Sequence, residues 1–267
     1  MIIELFGPPA SGKTTFAHAL AGRLRDRGHM ARVILCYQPR SRGGGFGFSA
    51  IFSIISRMSS AAFSILSILI SSSGINREIK VANGLVRIIP PESITWRIRI
   101  WQYIVRLSRC WERARKSADI TIFDQGFVQV VASLTMFNGV PDDRPIAQAL
   151  HFAPQADLVV RVVVPRDDVE ARLHARMMAE PAAERLFEVD VAGNMNSFEV
   201  FDNIGDVLSR AHRNIVSVQP VDPQSTLRGL CRVEAEILAR LSRIEVPVAR
   251  RRRTKLPARR RHGKNEV

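Results

Sequence analysis

Eight residues near the start of the chain, Gly7-Pro8-Pro9-Ala10-Ser11-Gly12-Lys13-Thr14, constrain its fold more than any other stretch. They fit G-x-x-x-x-G-K-[ST], the pattern of a loop that wraps phosphate groups. Such a loop needs a strand in front and a helix behind, and the flanks supply both. Ile2-Ile3-Glu4-Leu5-Phe6 reads as a short buried strand, and residues 14–27 read as a helix with Phe16, Leu20 and Leu24 four apart. The loop's backbone N–H groups turn inward, and the start of the following helix carries partial positive charge. Gly7 and Gly12 permit torsions and close approaches that a side chain would block. The residues expected to hold a nucleotide's phosphates are therefore Gly7, Pro8, Pro9, Ala10, Ser11, Gly12, Lys13, Thr14 and Thr15. Lys13 is expected to reach the β- and γ-phosphates, and the Thr14 hydroxyl to ligate Mg²⁺.

The rest of the 267 residues repeats the alternation that this opening sets up. Residues 31–37, 120–123, 158–164 and 214–218 read as further buried strands, with Pro39, Pro165 and Pro220 beyond three of them. Helical patterns fall at 95–116, 144–151, 167–178, 197–211 and 226–241. Strands alternating with helices predict an α/β fold in three layers: a five-stranded parallel sheet with helices on both faces and right-handed crossovers. One domain over 1–245 is expected, with a helical insertion at 40–92 and a basic, disordered tail over 246–267. The first residues belong to the strand, so no secretory signal is expected there. Cys36, Cys110 and Cys231 lie far apart without metal-ligand spacing, which suits idle thiols in a reducing cytoplasm.

Two stretches stand apart from this frame. Residues 250–267 carry nine Lys or Arg against one Glu, a charge of +8 out of the chain's +14, leaving +6 for the body. Arg250 to Arg253 and Arg259 to Arg261, with Pro257 between, cannot pack a core. Such a tail suits an anionic membrane surface, a polyanion or simple solubility. No aromatic residues interleave its arginines, so no sequence-specific nucleic-acid partner is expected. Residues 46–70 are nearly all apolar or serine, with Arg57 the one charge. Ser49, Ser53, Ser56, Ser60, Ser64, Ser67 and Ser71 form one helical stripe of small residues. Strands on either side belong to one sheet, which excludes a single membrane crossing, and the stretch is too short for two. A buried helix, a homodimer interface through 46–71 and a helix lying in the inner membrane surface all remain open.

Beyond the loop, Asp124 follows the apolar strand 120–123, where a sheet of this kind delivers a metal-directing carboxylate. Asp124 would hold Mg²⁺ or take a proton from the phosphoryl acceptor. Arg172 and Arg176, one turn apart on the 167–178 pattern, could clamp a transferring phosphoryl group. Lys13, Asp124, Arg172 and Arg176 are the candidate catalytic residues, and Thr14 and Asp124 the candidate metal ligands. Arg40, Arg42 and Arg97 are candidates for gripping an acidic acceptor.

The loop at 7–15, Asp124-Gln125-Gly126 after the third strand and the Val164-Pro165…Arg172…Arg176 run together resemble the nucleoside and nucleotide kinases, especially thymidylate-kinase-like enzymes. The resemblance implies a P-loop kinase fold, ATP and Mg²⁺ as donor and cofactor, and a lid over 180–195, with Glu184 and Arg185 in it, that closes over the phosphates. It also implies an adenine site near Val221-Asp222-Pro223. Thymidylate kinases carry Asp-Arg after the third strand, whereas Gln125 stands here; the resemblance therefore assigns no acceptor. The expected function is a cytoplasmic small-molecule kinase passing the γ-phosphoryl of ATP·Mg²⁺ to a nucleotide, nucleoside or similar acceptor. The alternative is a P-loop ATPase acting as a switch or assembly factor for a protein or membrane partner. A GTPase is disfavoured, since neither D-x-x-G nor N-K-x-D appears in place.

Overall fold

A computed structural model of the chain describes residues 1–35, 75–139, 142–179 and 191–253, with the backbone alone at 75–76, 173–179, 191–196 and 244–253. Its centre is the stretch the sequence marks first. β1 (Ile2–Phe6) is buried at all five positions and runs into the loop, from which α1 (Lys13–Asp26) departs. β2 (Ala31–Ile34), β3 (Ile120–Phe123), β4 (Leu158–Val162) and β5 (Ile215–Val218) complete one sheet in the order β2-β3-β1-β4-β5. Every pairing is parallel; Glu4 stands opposite Phe123 on one side and Val159 on the other. Progression along the sheet reverses at β1, and such a reversal opens a crevice at the carboxyl ends of the strands. The loop lies at that edge.

Helices cover both faces. α1 and α8 (Pro223–Arg253) pack on the face to which Ile3 and Leu5 of β1 point. The other face, with Ile2 and Phe6, carries α2 (Ile75–Ile88), α3 (Ile94–Lys116), α4 (Phe127–Asn138), α5 (Asp143–Phe152) and α7 (Val191–Arg210). α6 (Arg166–Ala179) leaves β4 beside the loop. Trp111 of α3 is the largest side chain sealed in this second core, stacked obliquely on Phe123 at 4.8 Å and edge-on to Phe127 at 5.0 Å. Those aromatic contacts fix α3 and α4 against β3, immediately below Asp124.

Differences from the expected elements have local causes. β2 ends at Ile34 rather than 37, β4 at Val162 rather than 164, and β5 starts at Ile215. α4 and α2 are unanticipated. α4 reads FVQVVASLTMFN, which is rich in β-branched residues and apolar nearly all round because it is buried nearly all round; it shows no amphipathic period. α2 does alternate its faces, with Ala82 and Leu85 inward, but sits within the stretch read as a single insertion. α8 runs on to Arg253, through residues 246–253 of the expected tail. The serine-striped segment 46–71, Arg40, Arg42, the stretch 180–190 of the lid and residues 254–267 lie outside the described residues. No described helix is long and apolar enough to cross a membrane.

One buried acid ties the first and last helices together. Glu234 of α8, 2% exposed, takes Arg23 at 2.8 Å on one oxygen and Arg27 at 2.6 Å on the other. Arg23 in the last turn of α1 and Arg27 at its C-cap both stay partly in water, so they lose less than the carboxylate would if it were left unpaired. Glu234→Ala is expected to cost about 2–3 kcal/mol of stability, read as a lower denaturation midpoint in urea. Arg27→Ala, which removes the more exposed partner, should cost about 1 kcal/mol or less.

Candidate functional site

The loop residues are held by backbone geometry before any side chain is considered. Gly7 has φ +150, and a Cβ there would run into the carbonyl oxygen of Val162 on β4. Only glycine lets β1 turn this close to its neighbour. Ala10, at φ 57, is a non-glycine residue in the left-handed region, which marks strain stored in the loop. α1 then begins at Lys13 with Gly12 in the N-cap position, no capping side chain and no acid in its first turn. A helix start furnished this way directs its first N–H groups at whatever anion lies before it.

Lys13 is 6% exposed, and its Nζ donates to the carbonyls of Gly7 at 2.9 Å and Pro8 at 2.6 Å and to Ser11 Oγ at 3.4 Å. Burial lowers its pKa to about 8, partly opposed by the charge of Asp124. At neutral pH it remains a cation enclosed by the loop. The Thr14 hydroxyl donates to Asp124 Oδ2 at 3.1 Å, across 110 residues of sequence, so the two candidate metal ligands meet. Asp124 is 4% exposed and its own N–H reaches the carbonyl of Ile34 at 3.4 Å, fixing it to the end of β2. Arg172 of α6 brings Nη1 to 3.5 Å from the carbonyl of Ala10. The expected clamp is thus half described: Arg172 is at the loop, and Arg176 lies one turn further along α6, its side chain outside the described residues. Arg97 does not join the site; it donates to the carbonyl of Pro91 at the start of α3. Asp222 caps α8 through the N–H groups of Gln224 and Ser225, leaving Val221 and Leu227 exposed at the carboxyl edge of β5.

No family model and no curated protein matches the chain. Among solved structures, it is similar to a deoxyadenosine kinase from M. mycoides bound to the products dCMP and a flexible dCDP, with a TM-score of 0.45 and 12% identity over 90% of this chain and 99% of that one. What the site can do is therefore read from its own groups. A buried cation, an uncapped helix start and a hydroxyl–carboxylate pair converge at the carboxyl edge of a parallel sheet. Together they fit a polyphosphate with a hard divalent cation that takes oxygen ligands. Among the described residues no cluster of three or more His, Cys, Asp or Glu could hold a metal by itself.

Three residues of this neighbourhood escaped the sequence reading. Tyr103 of α3 points its hydroxyl at the carbonyl of Gln125, 3.4 Å away. Gln129 of α4 accepts the N–H of Gly7 at 3.3 Å. Glu4, in the middle of β1, is buried and accepts the N–H of Val128 at 3.2 Å. Only Glu4 carried a sequence signal: an acid inside an otherwise apolar central strand.

Burial pushes the Glu4 carboxyl up to about 7, against the pull of the Val128 and Phe127 N–H groups and the charge of Arg213. Apart from Arg213, the groups that line the cavity beside it, from α4, α5 and the turn after it, β4 and Leu208 of α7, are uncharged. Unfolded, the same group titrates near 4.5, so the folded protein holds more protons between about 4.5 and 7. Its contribution to stability is complete below 4.5 and is lost as pH rises through 7. Urea denaturation should show Glu4→Gln gaining about 2–3 kcal/mol on the wild type between pH 4.5 and pH 8.

Proposed function

We propose that this protein is a small-molecule kinase that binds ATP·Mg²⁺ on the 7–15 loop and passes the γ-phosphoryl group to an acceptor of the nucleotide or nucleoside class. The observation that supports it most is the meeting of Thr14 and Asp124 beside a buried Lys13, because these groups have no structural task that a neutral set would not perform better. The loop N–H groups and the start of α1 hold the phosphates. Lys13 and Arg172 place positive charge against the phosphoryl oxygens as charge builds there, and Arg176 extends that clamp. Thr14 and Asp124 would hold Mg²⁺, which supplies neutralisation of the phosphate charge when bound. Alternatively, Asp124 would accept the proton of an acceptor hydroxyl. Val221 and Leu227 offer apolar surface at the sheet edge for the adenine ring.

A kinase reading is preferred to a switch because Arg172 reaches the loop and Arg176 follows one turn along the same helix, a pair of charges suited to a phosphoryl group in transfer. The test is transfer of label from γ-labelled ATP to a panel of nucleosides, nucleoside monophosphates, sugars and lipid-linked acceptors. Transfer to one class that outpaces hydrolysis supports the kinase. Hydrolysis at one rate with or without every acceptor, and no labelled product, would establish the ATPase instead.

A further inference from the structure

An acid sealed into the central strand of a sheet must be held by something, and Glu4 is held by the start of a helix. α4 begins at Phe127, so the N–H groups of Phe127 and Val128 belong to its first turn, where no carbonyl of the helix itself can accept them. The residue before the helix, Gly126, has no side chain to cap it. The cap comes instead from β1: Glu4 Oε2 accepts Val128 N–H at 3.2 Å, and Phe127 N–H also bonds to the carboxyl. Gly126 is what admits it, since a Cβ there would overlap Glu4 Oε2 and the side-chain carbons behind it. Among the described residues, Glu4 and Arg213 line a cavity of about 10 Å³ beside the carboxyl, room for about one water and too small for a ligand. Glu4 is therefore an anchor and not a recognition group.

What it anchors leads straight to the loop. One residue after Val128, Gln129 is 9% exposed and its Oε1 accepts the N–H of Gly7, the first residue of the loop. Two residues before Gly126 stands Asp124, which meets Thr14. We propose that Glu4 is a positioning residue for the loop: by capping α4 it sets Gln129 on the Gly7 N–H and Asp124 on the Thr14 hydroxyl. The proposal rests on the ATP reading of the loop only for its functional consequence, because the mechanical link exists without nucleotide.

Amide hydrogen exchange at Val128 and Gly7, together with the Kd for ATP·Mg²⁺, tests it in the full chain. Glu4→Ala is expected to speed exchange at both amides at least tenfold and to weaken ATP·Mg²⁺ binding about tenfold. Glu4→Gln keeps an acceptor oxygen in place and should hold Kd within about threefold of wild type. Gln129→Leu should speed exchange at Gly7 alone and weaken binding as Glu4→Ala does. Faster exchange at Val128 with Gly7 and Kd unchanged would make Glu4 a merely structural cap and overturn the proposal. Should Glu4→Ala fail to fold, Gln129→Leu decides: unchanged Gly7 exchange and unchanged Kd also overturn it. A wild type that fails to bind ATP·Mg²⁺, or binding untouched by Lys13→Ala, would instead remove the nucleotide reading; the two exchange rates would still decide the link.

Discussion

Replacing Lys13 by methionine is expected to weaken ATP·Mg²⁺ binding by about a hundredfold and to lower turnover by about 10²–10³-fold, without lowering thermal stability at pH 7. The two halves of this expectation come from one geometry. A charged ammonium that is 6% exposed costs free energy to bury, and its pKa, lowered to about 8, expresses that cost. The folded state binds fewer protons than the unfolded chain between about 8 and 10.5, so the penalty is full below 8 and fades as pH rises through that window. Methionine fills similar space without the charge. It gives up the hydrogen bonds to Gly7, Pro8 and Ser11, each worth about 1 kcal/mol net, against the relieved desolvation. A lysine kept only to hold the loop together would give the opposite pattern, with the melting temperature falling first. Titration calorimetry with ATP·Mg²⁺ and thermal unfolding of the same preparation separate the two.

How far the chain announces this arrangement depends on how local each signal is. The strand-loop-helix opening is written in one unbroken run of sequence, and the structure keeps it, from buried β1 to the first turn of α1. Asp124 was legible because an acid directly after an apolar strand sits at the carboxyl edge of a parallel sheet. Thr14 and Asp124 were expected at one site, but their direct hydrogen bond was not legible; it follows from β3 pairing with β1, a contact that no spacing encodes. α4 was missed for a different reason. Amphipathic period is a property of half-buried helices, and α4 lies between β1, α3, α5 and α7 with nearly every face covered. Gln129 and the capped N–H groups were hidden with it. Glu4 shows the converse: an oddity visible in the sequence whose meaning needed the fold, because its partners lie 124 residues away.

The turn at 124–126 takes on a physical sense in this light. Gly126 leaves room for the Glu4 carboxyl to reach the start of α4, which any side chain at that position would close off. Glu4 and Gly126 therefore form a matched pair, and Gly126→Ala should reproduce the loss expected of Glu4→Ala. Gln125 presents its carbonyl to Tyr103, so the turn after β3 is held from α3 as well as from β1. Held from both sides, the turn keeps Asp124 in register with the loop.

Asp124→Asn should therefore be the second most damaging change, and its signature should differ from that of Lys13→Met. The amide can keep the hydrogen bond from the Thr14 hydroxyl, so the fold and the loop are expected to persist. What disappears is negative charge where a divalent cation would sit. The apparent affinity for Mg²⁺ is expected to fall about 10–100-fold and turnover about 10²-fold or more, with excess Mg²⁺ restoring part of the rate. A second consequence follows from the charge on Lys13. Asp124 is what opposes the burial of that ammonium, and without it burial acts alone, moving the Lys13 pKa further below about 8. A neutral Lys13 no longer attracts phosphate, so ATP binding by Asp124→Asn should weaken with rising pH at a lower pH than it does in the wild type. Measuring Kd for ATP from pH 6 to 9 at saturating Mg²⁺ checks this directly. An unshifted pH profile together with an unchanged Mg²⁺ requirement would show that Asp124 merely caps the turn after β3 and that the cation, if one is used, is held elsewhere.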